Sequence, residues 1–211
     1  HYLLTEGPQT GERLVLASCV SSPQLGAIAK ALGVSYEETL TGFMWIANSG
    51  MALVATGKRV VFGYEEALGY TVGSLGRDKD GISAALLFCE LWAARRAEGK
   101  TLFDELERIA RAYGLFESGQ ISVTLKGQEG LAKIQSIMGG LRAQRIERIG
   151  PLDVVATSDV KVGTRRDAAG AVTSLSLPPS DVLIFELAGG SRLIARPSGT
   201  EPKLKIYVDV R

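Results

Sequence analysis

Near the end of the chain, Arg196-Pro197-Ser198-Gly199-Thr200-Glu201-Pro202 gathers side chains suited to holding an anion. A guanidinium fork can grip two phosphate oxygens, the Ser198 and Thr200 hydroxyls can donate to others, and Gly199 lets backbone N–H groups come close. Lys205, on the strand that follows, can add a second positive charge. The alternative is a plain strand connection rich in Pro and Gly, with a solvated arginine. No nucleotide fingerprint accompanies the segment, since neither a P-loop nor a GxGxxG pattern occurs.

Two other loops could meet the rest of a polyol phosphate. In Gly63-Tyr64-Glu65-Glu66-Ala67-Leu68-Gly69 two carboxylates follow an apolar strand. An ionised carboxylate accepts hydrogen bonds from neighbouring sugar hydroxyls, each worth about 1.5–3 kcal/mol. Acids in the first turn of a helix would simply favour its positive end, which is the competing explanation. A pair of glycosidase acids does not fit, because adjacent residues on an extended strand point to opposite faces. The third segment is Arg77-Asp78-Lys79-Asp80-Gly81, where Asp78 or Asp80 can cap the helix that follows. It lacks the later ligands of a calcium loop. Lys79, in a partly desolvated cleft, could orient phosphoryl oxygens or shuttle a proton. Thr41-Gly42, at the end of a strand of the same sheet, offers a hydroxyl and a backbone group, or else only a turn.

Composition narrows the chemistry further. Among 211 residues, 24 Lys plus Arg nearly cancel 23 Asp plus Glu, and the net charge of +1 provides no general field for nucleic acid or anionic lipid. The one histidine is His1, at a terminus expected to be mobile, which removes Ser-His-Asp, Cys-His and histidine–zinc chemistry. Cys19 and Cys89 lie in apolar runs and read as two buried free thiols of a reducing, cytoplasmic compartment. No apolar run approaches the roughly 20 residues that span a bilayer. The opening HYLLTEG has no initiator Met and no signal-peptide features, and reads as the tail of an interrupted helix in a longer protein.

The elements that must carry these loops alternate. Arg13 to Val20 reads as a strand, Leu25 to Leu32 as a helix, Val34 to Leu40 as a strand, Trp45 to Val54 as a helix, and Arg59 to Tyr64 as the strand of a third β-then-α unit. Asp78 to Gly99 reads as a helix apolar on several sides and therefore well buried. Thr101 caps the next helix, whose stripe Leu102, Leu106, Ile109 and Tyr113 ends at a left-handed Gly114. Past a boundary near 115–119 come a strand (Ile121 to Leu125), a helix (Glu129 to Leu141) and several hairpin strands, one joined by a tight two-residue Gly189-Gly190 turn. The expected fold class is an open α/β sheet domain with helices on both faces, followed by a smaller α+β domain. Open sheets of the first kind bind ligands beyond the carboxyl ends of their strands.

Four segments, in this order, strongly resemble the phosphohexomutase superfamily of phosphoglucomutases and phosphomannomutases: TLTGF at Thr39 to Phe43, GYEEALGY at Gly63 to Tyr70, DKDG at Asp78 to Gly81, and RPSGTEPKLKIY at Arg196 to Tyr207. The likeness covers nearly the whole chain but only the third and fourth domains of a four-domain enzyme. It implies a sugar-binding domain over residues 1–116 and a phosphate-binding domain over 117–211. In that family a phosphoserine of the first domain exchanges its phosphoryl group with a sugar phosphate. Mg2+ held by an aspartate-rich loop of the second domain neutralises charge. Neither motif occurs here, so the resemblance implies a chain that supplies recognition, partnered by the missing domains 1 and 2, inactive by itself and without a metal ligand.

Residue by residue, the resemblance gives Thr41, Gly42, Glu65 and the loop position Ala67 to the sugar. It gives Arg196, Ser198, Gly199, Thr200 and Lys205 to the non-reacting phosphate, and Lys79 to acid/base or phosphate contact. A bisphosphorylated intermediate such as glucose 1,6-bisphosphate must be accepted in two orientations. Two departures stand out. Ala67 replaces a serine of many relatives and has no hydroxyl to donate, and Met44 replaces a lysine. The EEALG form is closest to the branch holding glucose- and pentose-phosphate mutases, so a phosphopentomutase-type relative remains open. So do a standalone regulatory sugar-phosphate module and a scaffold whose loops are structural.

Overall fold

The computed structural model describes residues 1–211 except Ala67, Leu75 and Thr200. The chain forms two compact units, His1–Phe116 and Glu117–Arg211. In the first, β1 (Glu12–Ser18) lies between β2 (Ser35–Thr39) and β3 (Lys58–Glu65), all parallel, and β4 (Gly69–Val72) adds antiparallel to β3. β1 is apolar at successive positions because both its faces are covered, as a parallel strand demands. Val15 and Ala17 pack with Leu25, Ile28 and Ala29 of α2 (Gln24–Ala31) on one side. Leu14 and Leu16 pack with Phe43 and Ile46 of α3 (Phe43–Val54) on the other. The short helix α1 (Tyr2–Thr5) contributes Leu4 to the α2 side. Helices α4 (Gly81–Ala97) and α5 (Leu102–Tyr113) follow, the second begun by a capping box between Thr101 and Asp104.

In the second unit the strand order is β5 (Glu117–Thr124), β12 (Lys203–Val210), β11 (Arg192–Pro197), β10 (Leu183–Leu187), β7 (Leu152–Asp159), β8 (Thr164–Asp167) and β9 (Val172–Ser174), with β6 (Arg148–Ile149) pairing off β7. Every pairing is antiparallel. The helix α6 (Gly127–Ala143) lays Ile134 and Met138 against Leu183, Phe185 and Ala195. The first unit thus has the open α/β layering and the second the α+β arrangement read from the sequence, although several details differ.

First, β3 does not lead straight into a helix. The chain folds back as β4, four residues led by a glycine and so without a strand pattern of their own, and Glu65 pairs with Gly69 across that hairpin. Second, α4 is mostly exposed: Ile82 is 86% and Leu86 71% accessible, and Cys89 is exposed while Cys19 is buried. A helix apolar around its circumference needs cover on several sides, and here it meets β4, α5 and the segment around α1, leaving an apolar groove of about 720 Å³ beneath it. Third, His1 is tied down, its ring 3.0 Å from the Tyr113 hydroxyl and 3.5 Å from Glu105. The acidic Glu105, itself facing Arg95 and Arg108, makes a socket no terminal pattern could reveal. Fourth, the β10–β11 hairpin closes from Leu187 N–H to Ser191 O around three residues, with Gly189 (φ 81°) and Gly190 (φ 88°) supplying the positive φ. Gly114 has positive φ too, but its ψ of 153° is extended rather than left-handed helical. Among the described residues, no helix is long and apolar enough to cross a membrane.

Candidate functional site

In the first unit the carboxyl ends of β2 and β3 lie on the same side of the sheet, and the loops read as chemical converge there. Gly42, at φ 107°, makes the bend that starts α3, a backbone shape that disfavours side chains. Its N–H donates to Glu65 Oε2 at 3.3 Å. The carboxylate therefore sits at the positive end of a helix, where negative charge is favoured. Thr41 is part-exposed beside it. Met44 points outward, 65% exposed, so this turn carries no cation. Glu65 is the last residue of β3 and Glu66 lies in the turn after it, so the two acids are not neighbours on one extended strand. Ala67 lies outside the described residues.

The segment before α4 joins the same place. The Asp80 N–H donates to Tyr70 O at 2.7 Å, tying the loop to the first residues of β4. Asp80, not Asp78, is the cap: its carboxylate accepts the N–H groups of Ile82 (3.1 Å) and Ser83 (3.0 Å), and those of Ser83 foremost hold its carboxyl below the usual range. Asp78 is also lowered, first by the backbone N–H of Lys79 and then by its ammonium. Lys79 is half-exposed rather than enclosed. Its Nζ is 3.0 Å from Asp78 Oδ1 and 5.3 Å from the centroid of the buried Phe43 ring. Thr41, Gly42, Glu65 and Lys79 are thus brought to one edge. Phe43 and Gly69 belong there as well. Both fall inside segments singled out in the sequence, yet nothing but an aromatic beside a turn glycine hinted at a role.

In the second unit, Arg196 of β11 stands directly across from Lys205 of β12, and Lys205 across from Ser122 of β5. Directly opposed residues of an antiparallel pair share a face, so two cations point the same way, a costly arrangement in the absence of an anion. Both are partly buried, and among the described residues neither has an ion-pair or hydrogen-bond partner for its side chain. Ser198 extends the hairpin by donating its N–H to Lys203 O at 2.8 Å, and its Oγ accepts from Glu201 N–H at 3.3 Å. Gly199 does not need its glycine for backbone reasons, since its φ is not positive and a Cβ there would meet nothing within 4 Å. Thr200 lies outside the described residues.

Among the described residues no group of three His, Cys, Asp or Glu side chains is placed to hold a metal ion.

Comparison with known proteins joins these sites to a family. The model of the phosphoglucomutase/phosphomannomutase alpha/beta/alpha domain III matches residues 1–113, and that of the phosphoglucomutase/phosphomannomutase C-terminal domain matches residues 151–211. The chain is 40% identical over its full length to the "Probable phosphomannomutase" of Haemophilus influenzae, spanning 39% of that protein. It is 33% identical to the "Probable phosphoribomutase" of Schizosaccharomyces pombe, with 93% of this chain and 34% of that protein covered. The chain thus spans less than half the length of the curated relatives it matches. Among solved structures, the open form of the Paramecium phosphoglucomutase pp63/parafusin shares the fold with a TM-score of 0.63 at 20% identity, over 92% of this chain and 32% of that one. The chain belongs to the phosphoglucomutase/phosphomannomutase family, of which it carries domain III and the C-terminal domain.

Proposed function

We propose that this chain is the recognition half of a sugar-phosphate mutase, an isomerase that moves a phosphoryl group between the 1- and 6-oxygens of one sugar through a bisphosphorylated intermediate. The first unit supplies Glu65 as acceptor for sugar hydroxyls, with Thr41 and Gly42 beside it and Lys79 as a cation for acid/base work or phosphoryl oxygens. The second supplies Arg196 and Lys205, with Ser198, Gly199 and Thr200, for the phosphate that does not react. The reacting phosphoserine and the Mg2+ belong to the partner domains 1 and 2 in this reading, and by itself the chain turns nothing over. Phosphoryl transfer depends chiefly on positioning and charge stabilisation, so a recognition half is chemically coherent.

One observation carries the proposal: Arg196 and Lys205 face each other on one ladder with no carboxylate to neutralise them among the described residues. Calorimetric titration tests it. Arg196→Ala is expected to weaken both inorganic phosphate and glucose 1-phosphate, whereas Glu65→Gln weakens only the sugar phosphate. Unchanged affinities in both variants would leave a scaffold with structural loops. A pentose substrate is the second reading, favoured by the phosphoribomutase relative and by Ala67, which has no hydroxyl to offer. Tighter binding of ribose 1-phosphate than of glucose 1-phosphate would select it.

A further inference from the structure

We propose that Gly69 is a positioning residue whose missing side chain lets the Glu65 carboxylate and the Lys79 stem occupy one hollow walled by the Phe43 ring. This rests on the sugar-phosphate reading above and deepens it. Gly69 opens β4 as the register partner of Glu65. A Cβ built there would lie 2.8 Å from Glu65 Cγ, 2.9 Å from Glu65 Oε1 and 3.0 Å from Lys79 Cδ. Real Cβ contacts essentially never come as close as the first two, so an alanine must shift the Glu65 side chain and press on that of Lys79. The three nearest atoms all belong to the two side chains assigned to substrate, and none is backbone.

Other glycines of this unit are needed for other reasons. Gly42 and Gly73 have φ of 107° and 68°, which disfavours any side chain, and a Cβ at Gly73 would touch nothing within 4 Å. A Cβ at Gly63 would strike Ile46 and Thr71, inside the packed unit. Gly69 has no positive φ, so its backbone would accept alanine. The site requires the glycine; the strand does not. Phe43 forms the other wall. It is 3% exposed and locked among Leu14, Leu16, Ile46 and Val60, and the Lys79 ammonium lies 5.3 Å from its centroid, within cation–π range. Lys79 is held between a fixed aromatic face and a bare backbone position, beside the carboxylate that reads the sugar.

The test compares the 211-residue chain with its Gly69→Ala variant. Calorimetry with glucose 1-phosphate is expected to show about tenfold weaker binding, the scale of one charge-assisted hydrogen bond, while inorganic phosphate binds as before. The melting temperature should move by no more than about 2 °C, a small fraction of the stability of such a domain. In NMR spectra the Lys79 Hε resonances should lose the upfield shift imposed by the Phe43 ring, a signal that does not depend on any ligand. Unchanged Lys79 resonances would overturn the proposal, and so would a variant that fails to fold or an equal loss for both ligands. If Glu65→Gln also leaves glucose 1-phosphate binding intact, the sugar-phosphate reading fails instead, and the Lys79 shift still decides whether Gly69 places that side chain.

Discussion

The β11–β12 ladder carries a cross-strand pair of charged residues near each end, on one face, and the two pairs have opposite characters. Arg192 stands across from Asp209, both buried, with Nε 2.6 Å from the carboxylate, which also accepts from Ser118 at 2.6 Å. Arg196 stands across from Lys205, like charge against like, with no anion among the described residues. Identical backbone, two strand turns apart, holds a closed lock and an open clasp. A charge that is matched and desolvated in place fixes the register of the strands. A charge left unmatched beside another of the same sign costs stability, and in the function proposed above it is kept for the substrate phosphate.

The comparison can be broken at its closed end first. Asp209→Ala leaves a buried guanidinium without its anion and is expected to cost about 3–5 kcal/mol, read by urea unfolding of the second unit. A loss under about 1 kcal/mol would show that the lock is not structural. At the open end, Arg196→Ala should reduce phosphate affinity by about 1.5–3 kcal/mol, roughly 10- to 150-fold, with stability unchanged or slightly raised because a repulsion is removed. Lys205→Glu sharpens the contrast, since it rebuilds the closed pair at the open end. It should add about 0.2–1 kcal/mol of stability and abolish phosphate binding in the same titration.

The first unit repeats the theme on a smaller scale. Asp80 is committed to capping α4, while its neighbour Lys79 is half-exposed and ion-paired with the exposed Asp78. The Asp80 carboxyl is lowered in the folded protein from its ordinary 3.8, chiefly by the Ser83 N–H. Its contribution is therefore present in full above the unfolded value and is lost as pH falls through the lower folded one. Asp80→Asn should flatten the acid limb of the stability profile, the smallest of these effects. A limb unaltered in the variant would place the acid sensitivity elsewhere, for example at Asp104 in the α5 capping box.

How far the sequence reached is visible in particular residues. The strand-and-helix alternation of the first 65 residues, the Thr101 cap and the Gly189-Gly190 hairpin were legible because each rests on local chemistry: apolar period, a side-chain oxygen before a helix, glycines where φ must be positive. The loops that bear Thr41, Glu65, Lys79 and Arg196 were legible as loops at the ends of strands and helices, but their Gly, Pro, Ser and Asp content fits ordinary turns equally well, and the roles given to them came from the family resemblance. What distance along the chain cannot encode is who stands across from whom. That Lys205 opposes Arg196, that Gly69 faces Glu65, that Phe43 backs Lys79, and that an apolar α4 lies largely open were all decided by strand register and by which surfaces the two units present. Local propensity selects each element from a few residues, but opposition across a ladder and cover over a helix arise only when distant segments are brought together.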